Sequence, residues 1–200
     1  MLRAFQLRLA GCVSMATFKL CTHPAAPCAF VGSFDVQLRW TDAQCLQLTY
    51  LIEGDLQHLR LPVANLPAPG LPARTPELWR HTCCEIFLRN SGERAYQEFN
   101  FAPSGQWAAY TFSAYRQDMR DLALDDPPQI KPRLAANVFR LDVTLRSPIL
   151  ARPTPQAALS AVLEHDDGRL SYWALAHPRE RPDFHDERAF EDVSRDKFVP

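Results

Sequence analysis

Apolar and polar residues alternate one for one in stretch after stretch of this 200-residue chain, and that period is the repeat of a half-buried β-strand. Residues 34–40 (FDVQLRW) carry it, as do residues 46–52 (LQLTYLI). The turn Glu53-Gly54-Asp55 then leads into residues 56–61 (LQHLRL), which reads as a hairpin closed by a tight glycine turn. A second hairpin runs from residues 84–88 through Asn90-Ser91-Gly92-Glu93 and back along residues 95–101. Pro103-Ser104-Gly105 turns the chain into 107–112, and the pattern resumes at 137–145, 159–164 and, past Asp166-Asp167-Gly168, 170–175. Only residues 115–122 (YRQDMRDL) read as a helical turn. Roughly nine strands separated by turn residues predict an all-β antiparallel sandwich of the immunoglobulin or jelly-roll kind, with one short helical segment.

The punctuation agrees. Prolines number 17 against 7 glycines, which disfavours a helix bundle and suits short elements joined by stiff loops. Pro62, Pro67, Pro69, Pro72 and Pro76 make residues 62–77 a long rigid loop that cannot pair inside a sheet. No strand–helix alternation supports a nucleotide-binding sheet, and no internal repeat is visible. Hydrophobic residues make up 46% of the chain, enough for a full core.

Charge and hydropathy narrow the partners. Lys plus Arg is 22 and Asp plus Glu is 23, so association with nucleic acid through bulk positive charge is not expected. No apolar run approaches the ~20 residues of a spanning helix, and no membrane partner is expected. Residues 1–14 read as an N-terminal extension ahead of Met15, and residues 15–200 as a single domain. Leu9-Ala10-Gly11-Cys12 imitates a lipoprotein cleavage box, but Arg3, Gln6 and Arg8 break the apolar stretch that should precede it. A cytoplasmic location is therefore expected. The cysteines Cys12, Cys21, Cys28, Cys45, Cys83 and Cys84 show no C-x-x-C spacing and read as small apolar fillers, with adjacent Cys83 and Cys84 pointing to opposite faces of a strand.

Familiar catalytic signatures are missing: there is no G-x-S-x-G, P-loop, G-x-G-x-x-G or H-E-x-x-H. Two concentrations of aromatic and polar side chains stand out instead. One holds Trp79, His81, Glu85, Tyr96, Glu98, Asn100, Trp107 and Tyr110; the other holds Tyr172, Trp173, His177, Asp183 and His185. Flat rings beside carboxylate and amide groups suit a saccharide, whose C–H face stacks on an indole while its hydroxyls need donors and acceptors. Trp40 and Trp107 read as packing residues, whereas Trp79 stands at a loop–strand junction just after the proline-rich segment.

The run Glu77-Leu78-Trp79-Arg80-His81-Thr82-Cys83-Cys84-Glu85-Ile86-Phe87-Leu88, with Tyr96-Gln97-Glu98-Phe99-Asn100-Phe101 and Pro103-Ser104-Gly105, resembles bacterial DOMON-like domains. That superfamily also contains the family 9 carbohydrate-binding modules. The later Tyr172-Trp173-Ala174-Leu175-Ala176-His177-Pro178, followed by Pro182-Asp183-Phe184-His185, is similar to the closing segment of the group. The resemblance covers about 16–193. It implies a non-catalytic β-sandwich that clamps a terminal sugar between two tryptophans. Trp79 matches the first tryptophan, Glu85 the carboxylate that bonds sugar hydroxyls, and Trp173 stands where the second belongs. The expected ligand-binding set is Trp79, His81, Glu85, Asn100, Trp173 and His177.

The family's calcium residues have no match near the N-terminus, where Asp35 and Asp42 are the only acids before residue 50, and no cofactor is predicted. Some DOMON relatives hold haem b through a Met and a His, which makes an electron-transfer domain the alternative, with Met119 and His81 or His177 as the available ligands. A small enzyme using Glu85 and His81 as acid and base is a third reading. A shared metal on these two is not expected, because four residues along a strand separate them by about 13 Å.

Overall fold

The computed structural model describes residues 15–63 and 73–194. The expected extension 1–14, and residues 64–72 of the expected proline loop, lie outside the described residues.

Among the described residues thirteen strands form two antiparallel sheets. They are β1 (Met15–Lys19), β2 (Cys21–Thr22), β3 (Val31–Asp42), β4 (Cys45–Gly54), β5 (Cys83–Asn90), β6 (Tyr96–Phe101), β7 (Trp107–Phe112), β8 (Arg120–Asp121), β9 (Gln129–Ala135), β10 (Val138–Arg146), β11 (Pro155–Glu164), β12 (Leu170–Ala174) and β13 (Glu191–Asp192). The smaller sheet runs β1-β3-β4-β10-β9; the larger runs β2-β12-β11-β5-β6-β7-β8, with β13 added against β11. The chain is a β-sandwich, as its periodicity requires.

Alternation decides which side chains enter the core. Phe34, Val36, Leu38 and Trp40 of β3 are buried, as are Leu46, Leu48, Tyr50 and Ile52 of β4 and Phe139, Leu141, Val143 and Leu145 of β10. They meet Cys84, Ile86, Leu88, Phe99, Phe101, Leu159, Ala161 and Trp173 from the larger sheet. Tyr50 spans the layers, its hydroxyl donating to the carbonyl of Glu85 at 2.8 Å, and so ties the smaller sheet to the strand at the centre of the larger one. The Trp40 indole N–H donates to the carbonyl of Val193 at 3.0 Å and holds the C-terminal segment in place, where Val193 is fully buried.

The outer face of the larger sheet is covered too. Cys83, Phe87, Tyr96, Ala108, Tyr110, Phe112 and Ala158 form a second apolar cluster with Leu78 and Phe190. Cys83 and Cys84 are both inaccessible and belong to opposite faces. β5 therefore lacks the buried–exposed alternation of β3, being buried on both sides from Cys83 to Leu88.

Two local expectations fail, and one strand escapes the pattern. Residues 56–61 do not return as the second strand of a hairpin: residues Leu56–His58 form a 3-10 turn, and β4 pairs with β3 and β10. Residues 115–122 are not helical; Arg116 and Asp118 have φ of 53° and 52°, and the chain closes a tight loop before β8. β9 has no counterpart in the alternation reading because it is an edge strand interrupted by Pro132, and edge strands tolerate proline and charge.

Gly54 explains where β4 ends. A Cβ there would lie 2.1 Å from the carbonyl oxygen of Phe30 and 2.9 Å from the Cα of Val31, both backbone atoms that cannot swing aside. Gly54→Ala is expected to cost about 3 kcal/mol, the upper part of the overpacking range, because two strands must separate to admit one methyl group. Denaturant unfolding of the variant beside wild type measures it, and a loss under about 1 kcal/mol would show that the β3–β4 junction yields easily.

Candidate functional site

The covered outer face of the larger sheet contains a cavity of about 480 Å³. Its floor comes from neighbouring strands: Glu85 and Phe87 of β5, Glu98 of β6, Phe112 of β7, Val162 of β11 and Tyr172 of β12. Trp79 and Arg80 reach it from the 3-10 turn Leu78–Arg80, Arg116 and Met119 from the loop between β7 and β8, and Phe184 and His185 from the C-terminal segment. A hollow of about 510 Å³ at the edge of the smaller sheet, around Asp126, Lys131 and Arg146, has no aromatic ring in its lining.

Two carboxyl groups define the floor. Glu85 is 2% exposed and Glu98 4% exposed. Ser160, directly opposite Glu85 on β11, donates its hydroxyl to Glu85 Oε2 at 3.2 Å. Asn100, opposite Glu85 on the other side, donates Nδ2–H to Glu98 Oε1 at 2.7 Å, and its own Oδ1 is buried without a partner. Burial, which penalises charge, is the main cause that pushes the Glu98 carboxyl up to about 7; for Glu85 burial and then the neighbouring Glu98 push it well above the carboxylate range.

A hydrogen-bond chain stands beside them. The Arg116 backbone N–H donates to the Tyr96 hydroxyl oxygen at 3.1 Å, and that hydroxyl lies 2.7 Å from His185 Nδ1. Burial first, then Arg116, depresses His185 to about 4, so its ring is neutral at neutral pH. With Tyr96 donating to Nδ1, the ring proton sits on Nε2, which faces Glu98 Oε2 at 3.9 Å. Arg116 is held by Asp183 at 2.9 Å, and Tyr115 donates to the other oxygen of Asp183 at 2.5 Å. The rim is thus a fixed ion pair, and the floor carries acceptors.

Aromatic faces complete the lining. Trp79 is half-buried and meets Tyr110 edge to face at 5.6 Å, while Tyr172 and Phe184 lie 6.1 Å apart on the opposite side.

Of the six residues expected at the site, Trp79 and Glu85 line the cavity, and Asn100 reaches it only through its hydrogen bond to Glu98. The other three are elsewhere. Trp173 is 5% exposed and points inward, 5.7 Å from Phe34, with its indole N–H on Ser171 Oγ at 3.2 Å. His81 binds Glu164 Oε2 at 2.7 Å in a shallow exposed hollow, and Arg60 holds the other oxygen of Glu164 at 2.7 Å. His177 makes a 2.9 Å hydrogen bond to the carbonyl of Cys21 and touches the ring of His23 edge to face at 4.7 Å. Glu85 and His81 are therefore not an acid–base pair. Met119 does line the cavity, but neither His81 nor His177 joins it, so the axial pair that the haem alternative would need is not assembled from these residues. Among the described residues no cluster of three or more His, Cys, Asp or Glu side chains is arranged for a metal ion.

Glu98, Tyr172 and His185 belong to the site although they were not in the expected set. Glu98 was within reach of alternation alone, since Tyr96, Glu98 and Asn100 must share a face and Glu85 stands across from Asn100. Arg116 and Phe184 carry no such signal, because loops bring them in.

Comparison with solved structures shows the fold. A candidate carbohydrate-binding protein from Bacteroides uniformis ATCC 8492 superposes with a TM-score of 0.61 over 90% of this chain and 85% of its own, at 13% identity. A family 9 carbohydrate-binding module from Caldicellulosiruptor kristjanssonii was found with glucose (TM-score 0.44, 13% identity, 74% of this chain and 69% of that one) and with cellotriose (0.43, 13%, 79% and 72%). No protein-family model matches the chain, and no curated protein matches it in sequence.

Proposed function

We propose that this protein is a non-catalytic binding module whose cavity on the larger sheet holds a saccharide-like small polar ligand. One observation carries the reading: a concave site of about 480 Å³ with aromatic faces on its walls and buried hydrogen-bonding groups on its floor. The C–H face of a pyranose stacks on Trp79 or Tyr172, and its hydroxyls donate to Glu85 and Glu98 and accept from His185 Nε2–H. The fold shared with the candidate carbohydrate-binding protein from Bacteroides uniformis supports the reading at the level of the scaffold. The tryptophan six residues ahead of a strand glutamate supports placing the chain with DOMON-like sandwiches, with Tyr172 rather than Trp173 facing Trp79 across the ligand.

A panel of mono- and disaccharides, read by thermal shift and then by calorimetry, tests this. A ligand at about 100 times its Kd should stabilise the protein by about 2.7 kcal/mol. Trp79→Ala should weaken binding of any hit by on the order of 1–3 kcal/mol, roughly 5- to 150-fold, because the stacking face is removed while the floor remains. Unchanged affinity in that variant would take Trp79 out of the site.

A further inference from the structure

The charges on the cavity floor do not balance. Among the described residues no cation lies within ion-pair distance of Glu85 or Glu98, and Arg116 acts on both only from farther away; Glu98 has the neutral ring of His185 at 3.9 Å. The two arginines of the lining are already engaged, Arg116 by Asp183 at 2.9 Å and Arg80 by Glu77 at 3.0 Å. Behind the floor, Asn100 is fully buried and its Oδ1 receives no hydrogen bond, while its Nδ2–H points to Glu98. Buried carboxylates are costly unless paired with a positive charge, and a buried carbonyl oxygen wants a donor. Around these acceptors stand Trp79, Tyr172 and Phe184, whose ring faces attract cations.

We propose that the cavity selects a ligand bearing a primary ammonium group, which on the saccharide reading above, where this inference rests, is an amino sugar. The ammonium presents three N–H donors to Glu85 and Glu98 and supplies the one charge the floor lacks. A neutral sugar brings no charge and leaves the pair to hold its protons. Binding is then linked to protons: the apo pair retains protons because its charged form is buried, and the arriving ammonium replaces them.

The surrounding groups leave this signal legible. From β6 and β7, Tyr96 and Tyr110 are raised by burial and stay neutral; Arg116 stays charged, and Asp183, held by Tyr115 and Arg116, stays ionised. On β5 the Cys83 thiol is pushed well up by burial, and His185 is already neutral above about pH 5. Proton uptake or release between about pH 5 and about pH 8 in this cavity therefore belongs to the carboxyl pair.

The probes are glucose, glucosamine, 6-amino-6-deoxyglucose and cyclohexylamine, titrated calorimetrically into the full chain at about pH 5 and about pH 8, in buffers of different ionisation heat. At about pH 8 at least 6-amino-6-deoxyglucose should bind roughly tenfold or more tighter than glucose, releasing about one proton, and the preference should shrink at about pH 5. Glu98→Gln should lose most of the preference, binding 6-amino-6-deoxyglucose and glucose within about threefold of each other. Should that variant fail to fold, Glu85→Gln makes the same comparison. Glucose binding as well as both amino sugars at both pH values, without proton release, overturns the ammonium site and leaves the saccharide reading standing. Cyclohexylamine binding with the proton signature while no sugar binds upholds the ammonium site and removes the saccharide reading. No binding by any probe overturns both.

Discussion

Trp173→Ala is expected to lower stability by about 3–5 kcal/mol, the cost of emptying a buried tryptophan site in a core that cannot collapse to fill it. Trp173 is 5% exposed, packs on Phe34 from the facing sheet and is flanked by the inward residues Leu163 and Ala161. Against the 5–15 kcal/mol that holds an ordinary domain together, the loss is about a third or more, and the melting temperature should fall by roughly 10 °C. Trp79→Ala, which removes a half-buried ring that touches Tyr110, should cost only about 1 kcal/mol. Thermal melts of both variants without ligand separate the two tryptophans. A severe loss in Trp79→Ala with a mild one in Trp173→Ala would reverse the assignment of which is structural.

Glu98→Gln should stabilise the protein, and only on the alkaline side. In the unfolded chain a glutamate titrates near its ordinary 4.5, whereas burial lifts Glu98 to about 7 in the folded protein. Between those values the folded state holds a proton that the unfolded state has lost, so stability falls as pH rises through the window. Below about 4.5 both states are protonated and no penalty exists; above about 7 the penalty is complete. At 1.36 kcal/mol per unit the full effect is roughly 3 kcal/mol from Glu98 alone. Glutamine keeps an acceptor for Asn100 Nδ2–H and carries no charge to bury. Variant and wild type should therefore melt together near about pH 4.5 and diverge by several degrees at about pH 8, with the variant higher.

His185 acts with the opposite sign. Its folded value of about 4 means that acidification protonates the unfolded chain first, so its contribution is lost as pH falls from about 6.5 toward 4. It is present in both proteins, so the difference between their melting curves reports the glutamate. Parallel curves at all pH values would show that Glu98 is solvated well enough to ionise freely.

The site was partly legible from residues alone. Trp79 and Glu85 follow from a motif, and period two puts Glu98 on the face of Asn100. Trp173 misled because it sits one residue from Tyr172, and on a strand one residue is the difference between the core face and the cavity face. His81 and His177 misled because each is claimed locally, by Glu164 and by the Cys21 carbonyl.

What the sequence determined by itself is the two-sheet architecture. Strict alternation in β3, β4 and β10 specifies strands with one buried face, and the turn residues divide them. Period two says which residues share a side, but not what lies over that side. Alternation by itself would leave Glu85, Glu98, Asn100 and Ser160 facing water; the C-terminal segment, the turn carrying Trp79 and the loop carrying Arg116 bury them. Those covering pieces have no period of their own, and only long-range contacts fix them: Trp40 to Val193, Arg116 to Asp183, Tyr96 to His185. The tertiary structure alone thus turned four ordinary polar alternates into a buried, charge-bearing floor, because burial is a property of what packs above a strand and not of the strand itself.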